Sequence, residues 1–269
     1  MKCILLLTDF SETARNACLY ALEMFKNHKV YFILLNAYDI EFGGSPYVMQ
    51  VKDEIADESE KGLQKELISL HSEYPDARID LASRFGPLID VLLKEIGELN
   101  PYLLVLGCKG ESPLENFLLG SNAYDIIKNI HHPMLAIPKH AVFVNANKMV
   151  FATDLKLVNK SLATPVRDLC IEFKSELCFA NVMEDEYINR LDAEERIASL
   201  FPDIQLSFFF IDKDDVCNGI CSFADENDAK IIILVRHNYS FFERLFHPSV
   251  TKQMVLHPQF PMLVLHPDE

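Results

Sequence analysis

Between Gly107 and Ser121 the chain reads Gly-Cys-Lys-Gly, nine further residues, then Gly-Ser, directly after the apolar run Tyr102-Leu103-Leu104-Val105-Leu106. Glycines at 107 and 110 let a loop take positive φ angles and remove side chains that would hold a phosphate away from the backbone. Gly120-Ser121-Asn122 precedes Ala123-Tyr124-Asp125-Ile126-Ile127-Lys128, which predicts a helix. The first-turn N–H groups of such a helix lack partners and its dipole attracts anions. The chemistry this pattern suits is a grip on the phosphate chain of a nucleotide. Lys109 lies in the same loop, either to neutralise a phosphate or as a solvated surface lysine. The plainer alternative is that the glycines make turns and that Ser121 is an ordinary N-cap.

Other chemistries find less support. No G-x-x-x-x-G-K-[ST] loop occurs, no G-x-G-x-x-G follows the first apolar run, and no G-x-S-x-G elbow is present. With no evident base or transition-state clamp, the loop reads as a binder or sensor, and any ATP hydrolysis as slow. His131, His132, His237, His247, His257 and His266 show neither H-E-x-x-H spacing nor a C-x-x-C companion, so no metal site is expected. Seven cysteines, an odd number spread through predicted strands and helices, read as the reduced thiols of a cytoplasmic protein. Cys108, beside Lys109 and near a helix start, stands where a thiol pKa falls, which leaves a redox role open beside that of a plain loop residue.

The elements that must hold this loop alternate. Strands are expected at 2–7, 30–36, 78–84, 102–107 and 133–137, with helices at 12–27, 52–73, 87–98 and 121–130 between them. Runs such as Tyr31-Phe32-Ile33-Leu34-Leu35 are apolar on both faces, as parallel strands covered by helices must be. Leu88, Val91, Leu92 and Ile96 share one helical face, with Asp90, Lys94 and Glu98 elsewhere. The alternation implies an α/β, doubly wound parallel sheet whose ligands bind beyond the strands' carboxyl ends.

The pattern then recurs. Residues 78–137 align without a gap on 206–265, so that Ser112 meets Ser240, Glu115 meets Glu243, Ser121 meets Ser249 and Pro133-Met134-Leu135 meets Pro261-Met262-Leu263. Thr8-Asp9 matches Thr153-Asp154 at an offset of 145 rather than 128, so the second copy lacks 17 residues, from the region around 40–70. Internal duplication is the simplest explanation, and it gives two domains, 1–140 and 147–269, closely packed across a short junction near 140–147. The second copy places Val235, Asn238 and Pro248 where the first has Gly107, Gly110 and Gly120. It is therefore expected to be degenerate, with Phe241, Phe242 and Phe246 either contacting another ligand or filling the vacated space.

These residues resemble the universal stress protein family in its tandem two-domain form. The marks are Thr8-Asp9 after the first strand, Phe85-Gly86-Pro87 before the third helix, Gly107-x-x-Gly110-(nine residues)-Gly120-Ser121, and the closing Pro133-Met134-Leu135-Ala136-Ile137-Pro138. The resemblance implies two tandem copies of a five-stranded sheet of order 3-2-1-4-5, of the adenine nucleotide alpha hydrolase-like type. It also implies pairing through the last strand, as a pseudo-dimer within the chain or as a homodimer. In the nucleotide-binding branch it implies ATP across the strand ends, with Asp9 at the adenosine, Leu7 and Thr8 lining its pocket, and Ala37 at the base. Gly107, Gly110, Gly120 and Ser121 then contact ribose and phosphates, and Asn122 takes a place where a hydroxyl residue or valine is usual. No catalytic residue is implied.

Charge and hydropathy set the partners. A net charge of −15 repels nucleic acid and opposes ATP at long range, which makes Mg²⁺ a fitting companion. The opening run is interrupted at Thr8-Asp9 too early for a signal peptide, and no apolar run approaches the roughly 18 residues of a membrane span. A cytoplasmic stress-response or signalling module that binds ATP in its first domain is the reading these residues favour. The alternatives are a scaffold that binds no nucleotide and a slow ATPase.

Overall fold

A computed structural model describes residues 1–40, 47–108, 121–153, 155, 158–182, 190–211, 216–236 and 260–267. Those residues fall into two compact units, one within 1–143 and one within 144–269.

In the first unit β1 (Lys2–Leu7), β2 (Val30–Tyr38), β3 (Ile79–Phe85), β4 (Leu103–Cys108) and β5 (Met134–Pro138) alternate with α1 (Glu12–Phe25), α2 (Tyr47–Glu73), α3 (Leu88–Leu99) and α4 (Ser121–Asn129). The strands pair in parallel in the order β3-β2-β1-β4-β5, with Leu7 beside Leu35 and Leu6 beside Val105. Helices cover both faces, so Ile4, Leu5 and Leu6 in the central strand are fully buried. From β1 the chain steps outward through β2 and β3, then crosses back to β4. Strand order thus reverses between β1 and β4, and the crevice beyond their carboxyl ends is where this class of sheet accepts ligands.

The helix starts are specified locally. Ser11 caps α1 by accepting the Ala14 N–H on its Oγ at 3.2 Å. Gly86, at φ +132°, takes a backbone shape that other residues rarely adopt and turns the chain into Pro87 and α3. The helix α2 begins at Tyr47 rather than near residue 52. Glu95, buried on α3, is held by the Arg84 guanidinium at 2.5 Å, which offsets the desolvation of its carboxylate.

The second unit contains β6 (Lys148–Ala152), α5 (Lys160–Phe173), β7 (Glu176–Val182), α6 (Arg190–Ala198), β8 (Leu206–Ile211), α7 (Val216–Glu226), β9 (Ile231–Val235) and β10 (Met262–Leu265). Its strands are also parallel, ordered β8-β7-β6-β9-β10, the same topology as the first unit. Leu88, Leu103 and Met134 open their elements as Val216, Ile231 and Met262 do, 128 residues later. The helix α6 has 9 residues where α2 has 27. The core of this unit includes an aromatic cluster: Phe151 stacks on Phe179 with centroids 5.2 Å apart, and Phe179 on Phe208 at 5.1 Å.

Candidate functional site

The β1 strand delivers its last residues into a tight turn. The Thr8 N–H pairs with the Leu35 carbonyl at 2.9 Å, and the Thr8 Oγ1 then accepts the Phe10 N–H at 3.0 Å. Asp9 Oδ1 accepts the Ser11 N–H at 3.0 Å, and Phe10 adopts φ +63°, uncommon for a residue that is not glycine. Ser11 starts α1 at once. The turn is tied down from beside it by Asn36, buried at the end of β2, whose Nδ2 donates to the Thr8 carbonyl at 2.8 Å. Ser59 Oγ on α2 donates to Asn36 Oδ1 at 2.7 Å and lies 2.8 Å from Ser83 Oγ on β3.

Above this turn is a cavity of about 340 Å³, within the usual range for small-molecule sites. Leu7 of β1 and Thr8 and Asp9 of the turn after it line the cavity, with Leu35 and Ala37 from β2 and Leu106 and Gly107 from β4. Ser11, Thr13 and Ala14 of α1, Leu88 of α3, and Asn122, Ala123 and Ile126 of α4 complete the described wall. The first turns of α1 and α4 both border the space, so orphan N–H groups and the positive ends of two helix dipoles meet there. An apolar portion from Leu35, Ala37 and Leu106 sits beside a polar one from Thr8, Asp9, Ser11 and Asn122. The arrangement suits an amphiphilic anion with a flat apolar part.

Leu7, Thr8, Asp9, Ala37, Gly107 and Asn122 are thus brought to one cavity. Lys109, Gly110 and Gly120 lie outside the described residues, and Ser121 opens α4 with only its backbone described. Ser11, Thr13, Leu88 and Leu106 are lining residues that sequence reasoning left out. The N-cap signal of Ser11 after Thr8-Asp9 was there to be read, as was the Gly86-Pro87 turn that aims Leu88.

Two expectations need correction. Gly107 is not a loop glycine with positive φ; it lies within β4. Its missing side chain is needed because a Cβ there would come 2.6 Å from the Thr13 carbonyl oxygen and 2.9 Å from the Ala14 nitrogen, so α1 packs on bare backbone. Cys108 likewise belongs to β4, not to the loop, and is 2% exposed. Burial there pushes its thiol up to about 12, opposite to activation, so the redox reading fails. In the folded protein Cys108 should resist iodoacetamide at pH 8, with labelling appearing only on unfolding, as peptide mass spectrometry would show. Native labelling of Cys108 as fast as a free thiol would contradict this burial.

The second unit repeats the turn with different support. The Thr153 Oγ1 accepts the Leu155 N–H at 3.0 Å, Asn181 Nδ2 donates to the Thr153 carbonyl at 2.9 Å, and Leu155 takes φ +64°. Here Arg196 on α6 donates to the Val158 carbonyl at 2.6 Å and also to the Leu155 carbonyl, and Leu155 is buried. Val235 ends β9 at the place of Gly107. Asp154, Asn238, Phe241, Phe242, Phe246, Pro248 and Ser249 lie outside the described residues. Among the described residues no three His, Cys, Asp or Glu side chains gather as a metal site, and no helix is long and apolar enough to cross a membrane.

Residues 1–138 match the universal stress protein family. Among solved structures, a universal stress protein from Archaeoglobus fulgidus aligns over 99% of this chain and 98% of its own, with a TM-score of 0.72 at 15% identity. A protein of unknown function from Pseudomonas aeruginosa aligns over 100% and 93%, with a TM-score of 0.56 at 14% identity. A universal stress protein family protein from Arabidopsis thaliana with AMP bound aligns over 52% of this chain and 94% of its own, with a TM-score of 0.37 at 16% identity. No curated protein matches the sequence.

Proposed function

Because this chain belongs to the universal stress protein family, we propose that its first unit is an adenine-nucleotide receptor, binding ATP with Mg²⁺ as part of a cytoplasmic stress-response or signalling module. The observation that carries this reading is a cavity whose wall brings together apolar side chains, an acidic residue and two helix N-termini at the strand-order reversal. Leu35, Ala37 and Leu106 offer a slot for the base. Asp9 keeps an exposed carboxylate for ribose hydroxyls, and the Asn122 end of α4, with Gly107 of β4 in the same wall, is assigned to the phosphates. Mg²⁺ offsets the repulsion between a polyphosphate and a chain of net charge −15.

The site is read as a receptor rather than a catalyst. The acid among its described residues, Asp9, already accepts a backbone N–H and is exposed, so no desolvated base is poised over an attacking water. Residues 1–140 form the nucleotide-binding domain in this reading, and 147–269 a degenerate partner that has lost the glycines.

Calorimetric titration of the purified, nucleotide-free chain with MgATP tests it. One equivalent per chain is expected, weakened about tenfold in Asp9→Ala, the loss of one charge-assisted contact. Two equivalents would place a site in the second unit. No binding to folded protein would favour the scaffold.

A further inference from the structure

Helix α2 holds the Asp9 turn from one face. Ser59, Gly62 and Glu66 follow each other at spacings of three and four and therefore share a stripe on that helix. Each meets a different part of the turn and its helix. Ser59 acts through Asn36 on the Thr8 carbonyl, with hydrogen bonds of 2.7 and 2.8 Å. Gly62 receives the ring of Phe10 so closely that a Cβ would lie 2.6 Å from its Cζ. Glu66, buried, accepts from Arg15 Nε on α1 at 3.0 Å. Phe10 sits at φ +63°, a shape that costs a bulky residue of this kind and that persists only where surrounding contacts impose it. The second unit, whose corresponding helix is short, holds its own turn by another device, the Arg196 guanidinium on the Leu155 and Val158 carbonyls.

We propose that Ser59 and Gly62 of α2 are positioning residues that keep the Thr8–Phe10 turn in its ligand-ready shape, so that the seating of α2 sets nucleotide affinity in the first unit. The proposal rests on the receptor reading for its ligand, although the turn itself reports on α2 without any ligand.

The probe is Gly62→Ala. Alanine is the better helix former, so the helix itself gains from the change, while the new methyl group drives the Phe10 ring off its seat. MgATP affinity is expected to fall about tenfold with the thermal midpoint unchanged or raised. The double variant Phe10→Asn with Gly62→Ala should recover most of that loss, because asparagine accepts a positive φ and leaves no ring to displace. Ser59→Ala should weaken binding in the same direction by a smaller factor.

Hydrogen exchange of the Phe10 and Ser11 amides supplies the readout that needs no nucleotide, and both should exchange faster in Gly62→Ala. If wild type binds MgATP and Gly62→Ala binds it equally well, the positioning role is overturned while the receptor reading stands. If wild type binds no nucleotide, the receptor reading fails. Faster exchange in Gly62→Ala then still supports control of the turn by α2, and unchanged exchange overturns it.

Discussion

Gly107→Val is expected to cost the first unit roughly 3 kcal/mol, at the upper end for overpacking, with the urea midpoint falling by about 1–2 M. The added Cβ would fall 2.6 Å from the Thr13 carbonyl oxygen, 2.7 Å from its carbon and 2.9 Å from the Ala14 nitrogen. All three are backbone atoms of the first turn of α1, so no rotamer change relieves the contact. Either α1 lifts from β4 or β4 shifts in a sheet whose neighbouring strand is fully buried. Both responses deform the cavity, since Thr13 and Ala14 are part of its wall. Valine favours strands, so if nothing packed against Gly107 in β4 the substitution would be neutral or stabilising. Equilibrium unfolding followed by circular dichroism separates the two, and a variant as stable as wild type would remove the packing argument. Four residues separate β1 from α1, whereas seven separate β6 from α5 in the second unit, where Val235 takes the place of Gly107.

That glycine also marks where sequence reasoning stops. The element order and the parallel sheet were legible, because apolar runs such as Ile231–Val235 and amphipathic stretches such as Leu88–Leu99 carry strong periodic signals, whereas the 3-2-1-4-5 strand order, and with it the reversal point, came from the family resemblance. The same alternation put Asp9, Ala37 and Gly107 at the strands' carboxyl ends, while Thr8 and Asn122 were carried over from the family resemblance. What each glycine or cysteine does there depends on a neighbour distant in sequence. Gly107 answers to Thr13, and Gly62 to Phe10, pairs that no local pattern announces. Cys108 looked like a loop thiol because the strand was expected to end at 107, and one residue of extra strand moves it from an electropositive loop into the core. The relay from Ser83 through Ser59 and Asn36 to Thr8 was illegible for a similar reason. It needs four elements in register, and serines scattered through helices and strands give no signal of their own.

That relay sets the second large effect. Asn36→Leu keeps the branching at Cγ, with bulkier methyl groups, but removes both hydrogen-bonding ends of a side chain that is 8% exposed. The Thr8 carbonyl loses its donor and the Ser59 hydroxyl loses an acceptor, although Ser83 remains within 2.8 Å of it. A buried polar group left unsatisfied costs on the order of 1–3 kcal/mol, so a loss of about 2–4 kcal/mol is expected for the pair. Asn36→Asp gives the sharper version. Protonated, the carboxyl donates to the Thr8 carbonyl as the amide does; ionised, it sets a negative charge against that carbonyl in a desolvated place. Its folded pKa must therefore rise above the value of about 3.9 it has when unfolded. The native state then binds the extra proton, so stability near that of wild type at acid pH declines as pH rises from about 4 through the folded pKa, and the full deficit is present at pH 7. Asn181→Asp should behave alike in the second unit, where the same amide-to-carbonyl bond spans 2.9 Å to Thr153. Urea unfolding of both variants from pH 4 to pH 8, relative to wild type at each pH, would show it. A deficit that does not change with pH would mean that the amide does not donate to the Thr8 carbonyl, and the turn that carries Asp9 would then be held by its own Thr8 and Asp9 side chains and by Phe10 on α2 alone.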